Sequence, residues 1–330
     1  MPQPISYKKT REAFADAVIE LAKQDERIVF VSADCGAQER EFFRVEAKGR
    51  LVETGIAEAN SAAVAAGLAA EGFRPYLLNF AYLLGRMYNQ ISQSICEDAY
   101  PVKMAAYYAG VWGTGGRSHN CVTDLAIMRA LPNMTVLAPA DYWETKAAVR
   151  WAHRLPGPTY IRLSGIPTPL VYDHEPDFQP IRRLTEGKRC TIFCHGTAVR
   201  QALWANQRGQ LDAAVVNVPL LKPLPQEQII AEAERTQRVV IVEEHSLIGG
   251  LGEAICAVLA QHSAVPVRVL AVPDVFPSSV LMDVPDPDEV YQHYRIASSD
   301  IIQAVRSLSE QSPPSAQRHE EGETVVNAGR

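Results

Sequence analysis

Short apolar runs rich in β-branched residues recur along the chain at residues 28–32, 135–138, 159–163, 191–194, 213–218, 239–242 and 265–272. Between them lie amphipathic stretches with helical spacing, at 11–23, 58–70, 143–153, 226–234 and 252–260. A continuous apolar run predicts a strand covered on both faces, and an amphipathic stretch predicts the helix that covers it. The alternation predicts an α/β fold of two doubly wound domains with mainly parallel sheets. The pattern breaks at residues 167–188, where Pro167, Pro169, Pro176 and Pro180 stand among Asp173, His174, Glu175 and Asp177. Such composition predicts a linker. It separates a first domain, 1–166, from a second, 189–310, the latter with a smaller sheet and one antiparallel edge. Residues 311–330 hold two prolines, many charges and almost no large apolar side chains, and are expected to form a disordered tail.

Charge narrows the function classes. The chain has 330 residues, 21% of them charged, with a formal net charge of −6. A mildly acidic chain gives no electrostatic case for nucleic acid or an anionic membrane. No apolar run reaches about 18 residues, so no transmembrane helix is expected. Residues 1–11 are polar, so no secretory leader is expected, and the protein is assigned to the cytoplasm. Cys35, Cys96, Cys121, Cys190, Cys194 and Cys256 are scattered, mostly in apolar runs, and read as reduced core thiols. Cys190 and Cys194 would share one face of a strand, but no second pair or histidine cluster completes a zinc set. Gly249-Gly250-Leu251-Gly252 follows a strand and opens a helix. It is either a site for an anion at a helix N-terminus or a turn that must pack closely. P-loop, G-x-G-x-x-G, H-E-x-x-H and G-x-S-x-G patterns are absent.

The most informative segment is Glu53-Thr54-Gly55-Ile56-Ala57-Glu58-Ala59-Asn60, which leads into Ser-Ala-Ala-Val-Ala-Ala-Gly-Leu-Ala-Ala. A helix with small residues on all sides is expected to be buried and closely approached by another backbone. Glu58 at its start is favoured by the helix dipole and is placed for proton exchange.

That segment resembles the glutamate motif of the pyrimidine-binding domain in the transketolase family of thiamine diphosphate enzymes. Further motifs agree: Asn79-Phe80-Ala81-Tyr82-Leu83-Leu84-Gly85-Arg86-Met87-Tyr88-Asn89-Gln90-Ile91, then A-G-V-W-G-T-G-G-R-S-H-N, then D-L-A-I-M-R-A-L-P-N-M-T-V-L-A-P-A-D. In the second half V-I-V-E-E-H-S-L-I-G-G-L-G-E-A-I and V-P-D-V-F are similar to the same family. The resemblance covers about residues 7 to 308. The family's metal–diphosphate signature is absent, so the chain resembles the second subunit of a split transketolase. The resemblance implies a separate N-terminal-type subunit that carries the diphosphate and Mg²⁺, with no metal ligand in this chain. It also implies thiamine diphosphate between the two chains and an α2β2 assembly.

By resemblance, Glu58 is the carboxyl that hydrogen-bonds the cofactor's pyrimidine, and Tyr82 or Phe80 is the ring that stacks on it. His119 matches a histidine that faces substrate hydroxyls and the reacting carbon. Arg11 and Arg162 match arginines used for a sugar phosphate, and Arg86 is a further candidate in the cleft. The departures concern specificity. Thr114 and Gly115 replace an acidic pair, and Tyr108 replaces a histidine that contacts phosphate, with Tyr107 and Trp112 close by. A less charged, more aromatic channel suggests transfer of a two-carbon ketol or acyl-anion unit to an unusual acceptor in a specialised biosynthetic pathway. The substrate would be a small sugar phosphate or 2-oxo acid. A β-subunit of a 2-oxo acid dehydrogenase and a non-catalytic structural partner are the alternatives. A 1-deoxyxylulose-phosphate-synthase-like activity fits less well, and Glu243, Glu244 and His245 are expected to support subunit contacts.

Overall fold

The computed structural model describes residues 6–111, 118–277 and 287–310. The first half contains β1 (Tyr7–Lys9), α1 (Thr10–Ala22), β2 (Ile28–Ser32), α2 (Ala37–Val45), β3 (Leu51–Glu53), α3 (Glu58–Ala70) and β4 (Arg74–Phe80). It continues with α4 (Leu84–Gln90), β5 (Lys103–Tyr107), α5 (Asp124–Ala130), β6 (Thr135–Leu137), α6 (Tyr142–His153) and β7 (Thr159–Arg162). Two short strands follow, β8 (Pro167–Pro169) and β9 (Arg182–Arg183). The second half contains β10 (Cys190–Cys194), α7 (Ala198–Gly209), β11 (Ala213–Asn217), β12 (Leu220–Lys222) and α8 (Gln226–Thr236). It ends with β13 (Val239–Ser246), α9 (Leu251–His262), β14 (Val267–Val272), α10 (Pro287–His293) and α11 (Ser298–Glu310).

The first sheet runs β12-β6-β7-β5-β4-β2-β3. Its strands are parallel except β12, which pairs antiparallel to β6 although it belongs to the second half of the chain. The second sheet runs β14-β13-β10-β11-β9, parallel apart from the edge strand β9. The expected α/β class and the antiparallel edge are therefore present. The segment 167–188 is more than a linker: β8 pairs with β1, and β9 completes the second sheet. Proline is tolerated in β8 because an edge strand need not donate every N–H.

Several elements escaped the hydrophobic pattern for identifiable reasons. β4 begins Arg-Pro, and β5 reads Lys-Met-Ala-Ala-Tyr, so neither looks like an apolar run. Lys103 is nevertheless fully buried in β5. Its ammonium donates to the Leu155 and Gly157 carbonyls at 2.9 and 2.7 Å, and burial lowers its pKa to about 7. A buried lysine survives where carbonyls replace the water it has lost.

The two halves share an apolar core. One buried cluster runs from Ala62 and Leu84 through Leu125 and Met128 to Leu251 and Ile255. The α9 N-terminus seals this contact. Gly249 has φ +79°, and a Cβ there would lie 2.4 Å from the Ala126 Cβ. The Glu243 carboxylate accepts the N–H groups of Leu251 and Gly252, each at 2.8 Å. A Cβ on Gly250 would lie 2.2 Å from a Glu243 oxygen. The anion at this helix N-terminus is thus the chain's own carboxylate, and the glycines serve close packing rather than a phosphate. Glu244 is likewise internal, accepting the Val111 N–H at 2.8 Å and the Thr197 hydroxyl. His245 is buried, its Nδ1 2.9 Å from the Ser246 carbonyl. No helix among the described residues is long and apolar enough to cross a membrane.

Candidate active site

Parallel strands place their carboxyl ends on one side of a sheet, and ligands of open α/β sheets bind where the strand order reverses. In the first sheet the chain passes from β2 to its neighbour β3, then crosses back over β2 to β4. The reversal lies beside β2. Cys35 follows β2, Glu58 follows β3, Phe80 ends β4 with Tyr82 just beyond it, and Tyr107 ends β5 with Tyr108 just beyond it. The fold therefore gathers at one sheet edge residues that are more than 70 positions apart in sequence.

Glu58 is the first residue of α3 and only 3% exposed. The loop that delivers it is tied to β2, because the Thr54 hydroxyl donates to the Ser32 carbonyl at 3.0 Å. Gly55, with φ +68°, makes the turn into the helix. The Glu58 carboxylate accepts no hydrogen bond from a described residue; its one charged contact is Arg86 Nε at 3.7 Å. Nearly buried and hardly partnered, it is a carboxyl available to a ligand. The same helix corrects one expectation. Its buried face carries Ser61, Ala62, Ala65, Ala66 and Ala69, while Asn60, Ala63 and Gly67 are exposed. Within one chain the small-residue helix is covered on one face only.

The aromatic candidates separate by packing. Tyr82 is 48% exposed and borders a cavity of about 210 Å³ with Cys121, Val122, Val275 and Phe276. Phe80 packs inside a cluster, its centroid 4.4 Å from Tyr107, 5.6 Å from Tyr108 and 4.5 Å from His119. Tyr82 is the ring with a face to offer, and Phe80 is the ring that fixes its neighbours. His119 meets Phe80 edge-on, and its Nδ1 lies 2.7 Å from the Ser118 hydroxyl. That leaves Nε2 as the imidazole's remaining polar atom. Trp112, Thr114 and Gly115 lie outside the described residues.

The two arginines expected at a phosphate differ. Arg162 is 5% exposed; its Nε donates to Asp124 at 2.9 Å and an amino group to the Glu244 carbonyl at 2.8 Å. Burial opposes both charges, but the paired charges override it, holding Asp124 below and Arg162 above their usual ranges. Tyr160 adds its hydroxyl to Asp124 at 2.8 Å. Arg162 is therefore a structural ion-pair residue here, a correction to its expected place at a phosphate. Arg11 instead packs over the Tyr107 ring at 5.1 Å and makes no hydrogen bond or ion pair with a described residue. Beside it stand two groups that sequence reasoning missed. Glu39 is 1% exposed with an oxygen lacking any partner, and burial raises its pKa to about 7 against the lowering effect of Arg11. Burial also raises the Cys35 thiol, 3.9 Å from the Tyr107 hydroxyl. Their only signal in the sequence was a place just beyond an apolar strand.

Comparison with known proteins places this geometry. The transketolase pyrimidine-binding domain matches residues 6–167 and the transketolase C-terminal domain matches residues 180–301. The chain belongs to the transketolase family. It is 35% identical over 266 residues to a putative transketolase C-terminal section of Methanocaldococcus jannaschii, covering 78% of this chain and 83% of that one. It is 33% identical over 322 residues to a 6-deoxy-6-sulfo-D-fructose transketolase subunit of Clostridium sp. (strain MSTE9), covering 94% and 98%. A solved structure described as a split-gene transketolase in an inactive β4 tetramer superposes with a TM-score of 0.82 at 36% identity, covering 92% of this chain and 99% of that one. The transketolase relatives thus include separate subunits that this chain matches over nearly their whole length.

Proposed function

We propose that this chain is one subunit of a two-component, thiamine diphosphate-dependent transketolase, which moves a two-carbon ketol unit from a donor to an aldehyde acceptor. A second chain supplies the domain that holds the diphosphate and Mg²⁺, and two copies of each form the enzyme. The carrying observation is Glu58: a nearly buried carboxyl at a helix N-terminus, at the reversal of a parallel sheet, with no hydrogen bond to a described residue. A purely structural acid at this depth would be expected to have partners.

Residues of this chain fit the cofactor's pyrimidine. Glu58 would hydrogen-bond a ring nitrogen, Tyr82 would offer a ring face, and Arg86 would stand at the rim. Thiamine diphosphate, when bound, supplies an electron sink for a carbanion. Glu58 holds a proton at the ring nitrogen, which sets the tautomer there. His119 Nε2 serves a hydroxyl of the substrate, as donor or acceptor, while Ser118 fixes the ring through Nδ1. Among the described residues, Arg11 is the cation left for an anionic group of a substrate. The exposed face of α3 and the apolar side chains Ile56, Tyr82, Val275 and Phe276 support a large interface with other chains. The split-gene relative is an inactive tetramer of its β chains, and this chain alone is expected to be inactive as well. Its acceptor is proposed to differ from the common pentose and hexose phosphates, as in a specialised biosynthetic pathway.

Calorimetry with thiamine diphosphate and Mg²⁺, on this chain alone and on the chain purified with its partner, tests the reading. Tight binding only in the pair, followed by ketol transfer in an acceptor screen, is the expected result. Absence of binding in both states would make the chain a non-catalytic partner. Transfer of an acyl group to a lipoyl carrier would make it a 2-oxo acid dehydrogenase subunit.

A further inference from the structure

The backbone that carries His119 is held by the second half of the chain. Residues 108–111 and 119–122 run side by side outside the named strands, joined by an isolated parallel bridge between Ala109 and Cys121. The Gly110 N–H donates to the Cys121 carbonyl at 2.7 Å, and the Cys121 N–H donates to the Tyr108 carbonyl at 3.0 Å. The first half adds a bond from the Ala109 N–H to the Leu163 carbonyl at 3.2 Å. β13 then reaches both segments. The Ser246 N–H donates to the Val122 carbonyl at 2.7 Å, and the Val111 N–H donates to Glu244 Oε1 at 2.8 Å. His119 stands two residues before Cys121, with its ring edge-on to Phe80 and Tyr108.

The Glu244 side chain is fixed for this contact. It is only 3% exposed. Its Oε2 accepts the Thr197 hydroxyl, just before α7, and the Tyr291 hydroxyl of α10 at 3.4 Å. A carboxylate bound at both oxygens cannot swing, and its bond to a backbone N–H is of the stronger, charge-assisted kind. The receiving backbone is shaped to it. Gly110 has φ +124°, and a Cβ there would fall 2.3 Å from Glu244 Oε1. Glycine meets both the dihedral and the close approach. Arg162 donates to the Glu244 main-chain carbonyl, a bond that does not involve the carboxylate. An acid that only joined the two halves could end on any donor between them. This one ends on the segment that leaves β5 with Tyr108 and pairs with the segment of His119.

We propose that Glu244 is a positioning residue, through which the second domain sets His119 for the substrate. The inference rests on the transketolase reading above, which gives His119 its task. The test uses the enzyme assembled from this chain and its partner, with β-hydroxypyruvate as ketol donor and D-glyceraldehyde or its 3-phosphate as acceptor. Glu244→Ala should lower kcat/KM at least about tenfold, since small misplacements of a working group are costly. Thiamine diphosphate binding by calorimetry should be unchanged. Glu244→Gln keeps an oxygen for the Val111 N–H and should stay within about threefold of wild type. Residues that act as a unit are not additive, so in a His119→Ala background Glu244→Ala should cost less than about twofold more. In the chain labelled with ¹³Cε1-histidine, the NMR resonance that His119→Ala removes should shift in Glu244→Ala and return in Glu244→Gln. If Glu244→Ala does not fold, Thr197→Val takes its place, with a loss of about threefold that also vanishes in the His119→Ala background. Unchanged kcat/KM in a folded Glu244→Ala enzyme, or losses that multiply in the double variant, overturn the inference and leave the transketolase reading standing. Cofactor binding by the wild type without ketol transfer to either aldehyde overturns the reading itself, and the His119 resonance then decides whether Glu244 sets that ring.

Discussion

Arg86 Nε lies 3.7 Å from Glu58 Oε2, and the two partners sit in very different surroundings: the Arg86 side chain is 67% exposed and that of Glu58 is 4% exposed. The pair is therefore weak as a source of stability, since water and salt screen the exposed partner. Its carboxyl remains available to a ligand. Glu58→Gln should lower ketol transfer by on the order of 10²- to 10⁴-fold, the range of a lost general acid–base group. The same substitution should leave the urea midpoint nearly unchanged, because no hydrogen bond within the described chain is lost. Arg86→Ala should also fold normally. A large stability loss in Glu58→Gln would mark the residue as structural.

The ion pair between Asp124 and Arg162 behaves in the opposite way. Both side chains are buried, and Tyr160 and the Glu244 carbonyl complete the network. Removing one partner strands a buried charge, which costs about 3–5 kcal/mol. Arg162→Met should lower stability by that amount in denaturant unfolding. The double variant Asp124→Leu with Arg162→Met should recover much of it, since an apolar pair needs no compensating charge. A phosphate role for Arg162 would show instead as a raised KM with normal stability.

Much of the architecture could be read from the sequence because it is written in apolar runs. The runs at β2, β10 and β13 are continuous and β-branched, and the helix beginning at Glu58 runs from 58 to 70 as its composition predicts. β4 and β5 were hidden because alanine, proline and a buried lysine replace the usual strand residues. Arg162 was legible as a charged residue at a strand end, but its partner Asp124 comes from another element 38 positions away, and only folding brings them together. Glu39 and the need for Gly110 were invisible for the same reason. The one is defined by what fails to reach it, the other by the Glu244 carboxylate that packs on it.

Gly250 provides a test of packing at the junction of the two halves. The Glu243 carboxylate occupies the α9 N-terminus and accepts two backbone N–H groups. A methyl group at 250 would meet that carboxylate at 2.2 Å, and the carboxylate is fixed by its own bonds. Gly250→Ala should therefore destabilise the protein by roughly 1–3 kcal/mol, the usual cost of overpacking. Glu243→Ala should also destabilise it, by leaving buried N–H donors without partners. If Gly250→Ala proved neutral, the α9 N-terminus would have room to shift, and the junction would be looser than the contacts require.

Glu39 gives the molecule a specific pH dependence. Burial raises its pKa from an ordinary 4.5 to about 7, Asp16 adding to the rise and Arg11 opposing it. Between these two values the folded protein keeps a proton that the unfolded chain has released. Unfolding then sheds the proton, so stability falls as pH rises through this window and levels off above about 7. The full contribution is roughly 3 kcal/mol as an upper bound. Other buried acids titrate in the same range, Glu144 among them, so the comparison must be between wild type and Glu39→Gln. The variant should be as stable as wild type near pH 5 and more stable at pH 8, with the difference growing between. Urea unfolding at pH 5, 6, 7 and 8 measures it. A difference that stays flat across that range would show that Glu39 is ionised throughout, with the Arg11 charge holding it so, and Arg11 would then have a charged partner in Glu39.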